Sequence, residues 1–353
     1  MEDLRTGLSY GDVLLVPQRS PVESRRDVDL QTPLTFDIEL DIPLLSSPMD
    51  TITEAETAIA LSAAGGCGVI HRFMTVEEQA AEVAAVHEAG ELAAAAVGIA
   101  EAAEERTETL IDAGAACIVV DVAHGHLEKC LRKVERLRAA FPEIELVAGN
   151  VATAHGTEDL CLAGVDAVKV GIGPGSHCTT RKVAGAGVPQ LTAVHDCEAV
   201  AADYGVPVIA DGGIRSSGDA VKALMAGASS VMMGSLFAGT AEAPPEIIEL
   251  DGTRYKRSRG MATTAANEDR SDKQVKTAEM AEEGVEAFTE YKGPLAAVVM
   301  EFTAGIRSGL SYCGGNSIDQ ARANAEFIRV GPSAKELEGA HGDHDWEIVT
   351  LDS

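Results

Sequence analysis

Lysine is scarce in this chain and basic charge as a whole is outnumbered. Of 353 residues only 10 are lysine, beside 18 arginines and 56 acidic residues, and the formal charge is −28. Such an average field opposes phosphate, which excludes nucleic acid and anionic lipid as partners. Long apolar runs are missing too: no stretch reaches the ~18 consecutive apolar residues of a membrane helix. The start, Met1-Glu-Asp-Leu-Arg, lacks the basic segment and apolar run of a secretory signal. The seven cysteines (Cys67, Cys117, Cys130, Cys161, Cys178, Cys197 and Cys313) form no CxxC pair and leave one over. That argues against a disulfide framework or a zinc knuckle, and for reduced thiols in the cytoplasm.

What is present is a packed globular composition, 46% hydrophobic, with 35 glycines in no triplet repeat. Disorder is excluded despite the charge. An acidic, lysine-poor surface fits a cytosol of very high salt, where screening removes self-repulsion, better than an ordinary acidic mesophile protein.

Eight short apolar runs bounded by glycine recur along the chain: Pro43–Ser47, Gly68–His71, Ala93–Ile99, Cys117–Ala123, Glu145–Val151, Ala167–Gly173, Val206–Gly212 and Ser230–Phe237. Between them lie segments with apolar residues at helical spacing. Four of these segments close on a glycine, Gly114, Gly164, Gly205 and Gly227, as helix C-termini do. Eight β-then-α units in about 200 residues predict an α/β fold, a (β/α)8 TIM barrel. The competing doubly wound sheet has fewer strands and a Gly-x-Gly-x-x-Gly turn after the first, whereas here that strand runs into Ser46-Ser47-Pro48-Met49-Asp50. Two long segments leave C-terminal strand ends: a loop at Gly173–Gln190, and Ala241–Glu290, whose polar stretch from Asn267 reads as a flap.

Polar residues and glycines collect at those ends: Asp50, His71-Arg72, Asp121, His124, Asn150, Asp211-Gly212-Gly213 and Gly234-Ser235. Bare glycines after strands 7 and 8 are where barrels bind phosphate through backbone N–H groups. Cys178 differs from the other six cysteines, which sit in apolar helix or strand patterns. Its glycine-rich loop has no apolar pattern to bury it, and Arg181 is close in sequence; a nearby cation favours the nucleophilic thiolate.

The loop, Gly171-Ile-Gly-Pro-Gly-Ser-His-Cys178-Thr-Thr-Arg181 followed by Gly187-Val-Pro-Gln190, resembles the catalytic-cysteine signature of the IMP dehydrogenase/GMP reductase family. Ser47-Pro-Met-Asp, Val69-Ile-His-Arg, Asp121-Val-Ala-His-Gly-His, Ala148-Gly-Asn-Val, Pro207-Val-Ile-Ala-Asp-Gly-Gly-Ile-Arg and Gly305-Ile-Arg-Ser-Gly-Leu-Ser-Tyr extend the likeness from about Leu8 to the end. The resemblance implies one barrel domain over residues 1–353, without the regulatory CBS-domain pair that most dehydrogenases insert near Ala89-Gly90. It implies that Cys178 attacks purine C2 of a mononucleotide while hydride passes between that carbon and a nicotinamide, with Thr180 and Glu283 as proton relay. Ser47, Met49, Asn150, Ser176, Asp211, Gly212, Gly213, Gly234, Ser235 and Met261 match the nucleotide site, Asp211 on the ribose. Asp121, Gly171, Ile172 and Gly173 match the nicotinamide side. The carbonyls of Gly173, Gly175 and Cys178 match a monovalent-cation site, here for K+. A homotetramer is implied as well.

The two branches differ in how the covalent intermediate is resolved. A dehydrogenase needs a base for water, supplied in that branch by an Arg-Tyr pair on the flap; a reductase releases ammonia instead. Here Arg270 lies 13 residues before Glu283, but Ser271 stands where the Tyr is expected, and Ser258 where dehydrogenases show a Tyr on the phosphate. The flap is short, and with the missing CBS pair it leans towards a reductase. Against this, His71-Arg-Phe-Met-Thr-Val-Glu-Glu-Gln, Phe237-Ala-Gly-Thr-Ala-Glu-Ala-Pro and His341-Gly-Asp-His-Asp-Trp follow the dehydrogenases. The expected activity is therefore NAD-dependent oxidation of IMP to XMP, with Arg270 beside the attacking water, in guanine nucleotide biosynthesis. The alternative is conversion of GMP to IMP and ammonia with NADPH. A third reading, a nucleotide-binding protein without turnover, is motivated by Ser258 and Ser271 and opposed by intact Cys178, Thr180 and Glu283.

The charge makes its own prediction. Thermal midpoint and activity should both fall as KCl is diluted from molar to millimolar concentration. A protein equally stable and active in dilute buffer contradicts the high-salt reading.

Overall fold

The computed structural model describes residues 4–272, 283–331 and 334. Eight parallel strands close into a barrel: β1 (Leu44–Ser46), β2 (Cys67–Ile70), β3 (Ala94–Val97), β4 (Cys117–Asp121), β5 (Glu145–Val151), β6 (Ala167–Val170), β7 (Val208–Asp211) and β8 (Ser230–Met233). Closure is made by β8 on β1, with Val231 opposite Leu44 and Met233 opposite Ser46. Helices α1 (Ala55–Ala63), α2 (Val76–Glu88), α3 (Ala103–Asp112), α4 (Glu128–Ala140), α5 (Ala154–Leu162), α6 (Gln190–Ala201), α7 (Ser217–Met225) and α8 (Leu295–Tyr312) follow the strands in turn. The expected (β/α)8 architecture is the observed one.

All eight expected strands are present, and most are shorter at one or both ends. The trimmed C-terminal residues include Gly171–Gly173 and Gly212, which turn away from the ladder to build the rim loops. Gly114, Gly164, Gly205 and Gly227 have φ of 102°, 95°, 66° and 119°, the left-handed region in which glycine ends a helix without strain. Thr75 caps α2 with a reciprocal box: its Oγ1 accepts the Glu78 N–H at 3.1 Å, and Glu78 Oε2 accepts the Thr75 N–H at 2.8 Å.

Side-chain alternation divides each strand into an inner and an outer row. Leu45, Val69, Ala94, Ala96, Cys117, Val119, Val147, Ala167, Ile209 and Met232 fill the barrel. Their neighbours Leu44, Ile70, Ala95, Ile118, Leu146, Val168, Ala210 and Val231 pack outwards, under the helices. A small hairpin, Thr32–Pro33 with Glu39–Leu40, brings Leu34 and Leu40 against the inner group. The strand Val13–Leu15 pairs antiparallel with Phe327–Arg329.

One expectation needs correction. The segment Ala241–Glu290 is not simply a flap: β9 (Ile248–Leu250), β10 (Thr253–Arg259) and β11 (Glu286–Glu290) form an antiparallel sheet within it. Hydrophobic alternation did not announce β10 because buried positions on it are polar. Lys256 donates to the Ala241 and Ala243 carbonyls at 2.8 and 2.6 Å, and Ser258 is fully buried. The tail motif from His341 and the flap residues from Lys273 lie outside the described residues. Among the described residues no helix is long and apolar enough to cross a membrane.

Helix α8 closes the ring against α7 through Gly305 and Gly309. A Cβ at Gly305 would collide with Ser217, and one at Gly309 would lie 2.5 Å from Val221 Cγ2. Gly309→Leu should therefore lower the unfolding free energy by about 1–3 kcal/mol, read from the denaturant midpoint. An unchanged midpoint contradicts this close packing.

Candidate active site

The C-terminal strand ends surround a cavity of about 450 Å³. Its wall contains Ser47, Met49, Asp121, Asn150, Gly171, Ile172, Gly173, Gly175, Ser176, Cys178, Thr180, Asp211, Gly212, Gly213, Gly234, Ser235, Met261, Arg270 and Glu283. Every site residue named from sequence thus meets in one place. Three other polar residues noted at strand ends do not line it. Asp50 and His71 line an adjoining polar cavity that shares Phe73 and Arg270, and His124 is exposed.

The floor is set by a lysine that sequence reasoning passed over. Lys169 follows Ala167 on the inner row of β6 and is 1% exposed. Its Nζ lies 2.8 Å from Asp121 Oδ1 and 2.7 Å from Asp211 Oδ2, and it also donates to Asn150 Oδ1. Asn150 Nδ2 donates to Asp211 Oδ2 at 2.9 Å and to the Gly171 carbonyl at 2.7 Å. Burial alone would lower the Lys169 pKa, but the two carboxylates outweigh it and hold the ammonium well above its ordinary value. Burial likewise works to raise Asp121, yet Lys169 and Arg72 hold its carboxyl below the usual range. The signal was available: one lysine inside an apolar run of a lysine-poor chain.

Above this floor the loop that carries Cys178 turns on glycine. Gly171 has φ 152°, and a Cβ there would collide with the Asp211 carbonyl. The loop is then pinned to residues 283–285: the Val285 N–H donates to the His177 carbonyl at 3.0 Å and the Thr179 N–H to the Glu283 carbonyl at 3.2 Å. Cys178 is the one cysteine that is not fully buried. Its Sγ donates to Thr180 Oγ1 at 3.1 Å, and Thr180 Oγ1 donates to Glu283 Oε2 at 2.6 Å. A thiol proton has a continuous route to a carboxylate, which is what a nucleophilic cysteine requires.

Arg270 is engaged elsewhere. Its Nε and Nη2 donate to Asp272 at 2.5 and 2.6 Å, and its guanidinium stacks 3.8 Å from the Phe73 ring centroid. Asp272 also lies 4.0 Å from Arg106 Nη1, whose side chain caps the Arg72 carbonyl. Ser271 Oγ donates to Glu78 Oε2 at 2.8 Å. The beginning of the flap is thereby fastened to the loop before α2 and to the first turn of that helix, and Arg270 meets the cavity with its donors largely spent.

The opposite wall is backbone. Gly212 and Gly213 have φ of 87° and 79° and pack under Pro174 and Gly175. With Gly234-Ser235 they give the cavity a bare main-chain edge after β7 and β8, the usual anion site of such barrels. Among the described residues no cluster of three His, Cys, Asp or Glu could hold a metal ion.

Lys169→Met should cost about 3–5 kcal/mol, because two carboxylates lose their buried partner. Asp121, held low, contributes stability above the unfolded value of ~3.9 that is lost as pH falls through its folded pKa. Without Lys169 that contribution goes, so acid unfolding should begin at higher pH. An unchanged acid limb of the stability curve contradicts the assignment.

Residues 7–341 match the IMP dehydrogenase / GMP reductase domain. The inosine-5′-monophosphate dehydrogenase of Nitrosopumilus maritimus is 36% identical over 93% of this chain and 96% of that protein. The GMP reductase of Leishmania major is 33% identical over 96% and 97%. Both alignments, of 459 and 478 positions, exceed the 353 residues here, so each relative carries residues with no counterpart in this chain. A crystal structure of a cysteine-to-alanine GMP reductase from Trypanosoma brucei, in complex with guanosine 5′-monophosphate, superposes with a TM-score of 0.91 at 30% identity, covering 97% of this chain and 99% of that one. A closed eight-stranded barrel with this loop at its rim and likeness over nearly its whole length make the chain a member of the IMP dehydrogenase/GMP reductase family, an oxidoreductase acting on purine nucleotides.

Proposed function

We propose that the chain oxidises IMP at C2 to XMP with NAD+, through a covalent bond to Cys178. The observation that carries this is the hydrogen-bonded chain from Cys178 through Thr180 to Glu283. The thiol proton leaves along it, and the Cys178 sulfur adds to purine C2, the phosphate resting on the glycine edge and the ribose against Asp211. A nicotinamide dinucleotide bound beside Asp121 and Gly171–Gly173 would supply the hydride acceptor. The residues present fit that group: the glycine backbone is bare, and Arg72 Nε, on a residue of the same wall, is buried with no hydrogen-bond partner among the described residues. Once the hydride is gone, C2 is bound to sulfur as a thioimidate. Water adds to C2, its proton passes through Thr180 to a Glu283 that has returned its first proton to solvent, and the C–S bond breaks to release XMP.

This scheme moves one role. Sequence placed Arg270 beside the water, but a guanidinium held by Asp272 and Phe73 is poorly free to act as base, and Glu283 is better placed. K+ would be held by the carbonyls of Gly173, Gly175 and Cys178, an all-oxygen set suited to a large monovalent ion. The Gly175 carbonyl already accepts the Cys178 N–H at 3.1 Å and would serve the ion with its second lone pair.

The engaged Arg270 and the tethered Ser271 favour a second reading, reduction of GMP to IMP and ammonia with NADPH, in which no water needs activating. A paired assay in concentrated KCl separates them. IMP with NAD+ should generate NADH, and Cys178→Ala should abolish it; NADPH consumption with GMP and no signal from IMP would establish the reductase. In the dehydrogenase, Glu283→Gln should slow steady-state turnover about 10²–10⁴-fold, while Arg270→Ala costs less than about tenfold. The reverse order would return the base to Arg270.

A further inference from the structure

We infer that His177 is a ligand for the phosphate group of the substrate. The inference rests on the purine-mononucleotide reading and assigns a residue that neither sequence motif nor loop chemistry had given a role.

His177 immediately precedes the nucleophile and lines the same cavity. Its backbone is fixed by the Val285 N–H on its carbonyl and by Gly260, where an added Cβ would lie 2.9 Å from that carbonyl oxygen. The ring therefore has a defined seat between the loop and the end of β10. Both ring nitrogens meet hydroxyls: Nε2 lies 2.9 Å from Ser258 Oγ, and Nδ1 lies 3.4 Å from Ser176 Oγ. Ser258 is fully buried behind the ring and is bonded onward to Thr289 Oγ1 at 3.1 Å. Ser258 thus orients the imidazole from behind, while Ser176, which is exposed, fronts the cavity.

Two features point to an anion as a further partner, at the Nδ1 whose contact with Ser176 is long. In a chain with 56 acidic residues, no carboxylate among the described residues pairs with this ring. The ring also stands in the wall that carries the bare backbone of Gly212, Gly213 and Gly234, two residues from Gly175, which packs against Gly212. A phosphate held by amide N–H groups on that edge would meet Ser176, toward whose Oγ the imidazole Nδ1 is turned at 3.4 Å, and would accept from that nitrogen. A short hydroxyl at position 258 and an imidazole at 177 together fill the space and supply the polar contact at this corner.

The test is calorimetric titration of the intact protein in concentrated KCl with IMP, GMP, inosine and guanosine. His177→Leu should weaken whichever nucleotides bind by about 10- to 100-fold and leave the nucleosides within about twofold. His177→Gln, which keeps a donor, should recover most of the nucleotide affinity and guards against a folding defect in the leucine variant. Equal weakening of nucleotide and nucleoside would show that the ring only shapes the cavity, and overturns the proposal; so does an unchanged nucleotide affinity. If the unaltered protein binds neither IMP nor GMP, the mononucleotide reading itself fails and the proposal falls with it.

Discussion

A buried ammonium group between two carboxylates is the constraint around which the rest of the site is arranged. Lys169 reaches up from the inner row of β6 and takes Asp121 from β4 and Asp211 from β7. Asn150 from β5 closes the network and fixes the Gly171 carbonyl, where the Cys178 loop begins. Four strands are thereby held in register at the rim, and each carboxylate keeps a fixed orientation on its own side of the cavity. A buried pair of this kind contributes little net stability, since desolvation offsets much of the attraction. Its value here is positional: it holds Asp211 and Asp121 apart, on the sides proposed for the nucleotide and the nicotinamide.

The fold was largely legible because the barrel strands obey simple rules. Inner and outer rows of a parallel barrel are both apolar, so each strand shows as a continuous run, and glycine marks where each helix stops. The sheet of β9, β10 and β11 was not legible for the opposite reason. On β10 the inward positions are Lys256 and Ser258, satisfied by carbonyls and hydroxyls that only the folded chain brings near. The residues of the site were legible through their motifs, and all of them reach the cavity. What no motif could convey was partnership. Arg270 could be placed near the chemistry from spacing alone, but its stacking on Phe73 depends on the loop between β2 and α2, nearly 200 residues away in sequence. Lys169 and His177 are of the same kind, ordinary residue types whose meaning lies in what surrounds them.

The overall charge of −28 also reads differently beside this geometry. An acidic protein that takes an anionic nucleotide must build a local exception to its own field. Among the described residues the candidates for that exception are bare backbone at Gly212, Gly213 and Gly234, an imidazole without an acid partner, and Arg72 with an unspent donor. On the proposed reading the surface charge speaks to the surrounding solvent, and the ligand would be recognised by backbone dipoles and a desolvated cation in a cavity that shields them.

The central claim is that Cys178 forms a covalent bond to the nucleotide. The most direct measurement is mass spectrometry of protein quenched in acid during turnover, with IMP and NAD+ in one sample and GMP and NADPH in another. The account predicts a purine nucleotide mass on the peptide that contains Cys178 in whichever mixture turns over. Sustained turnover with Cys178 never modified would contradict it.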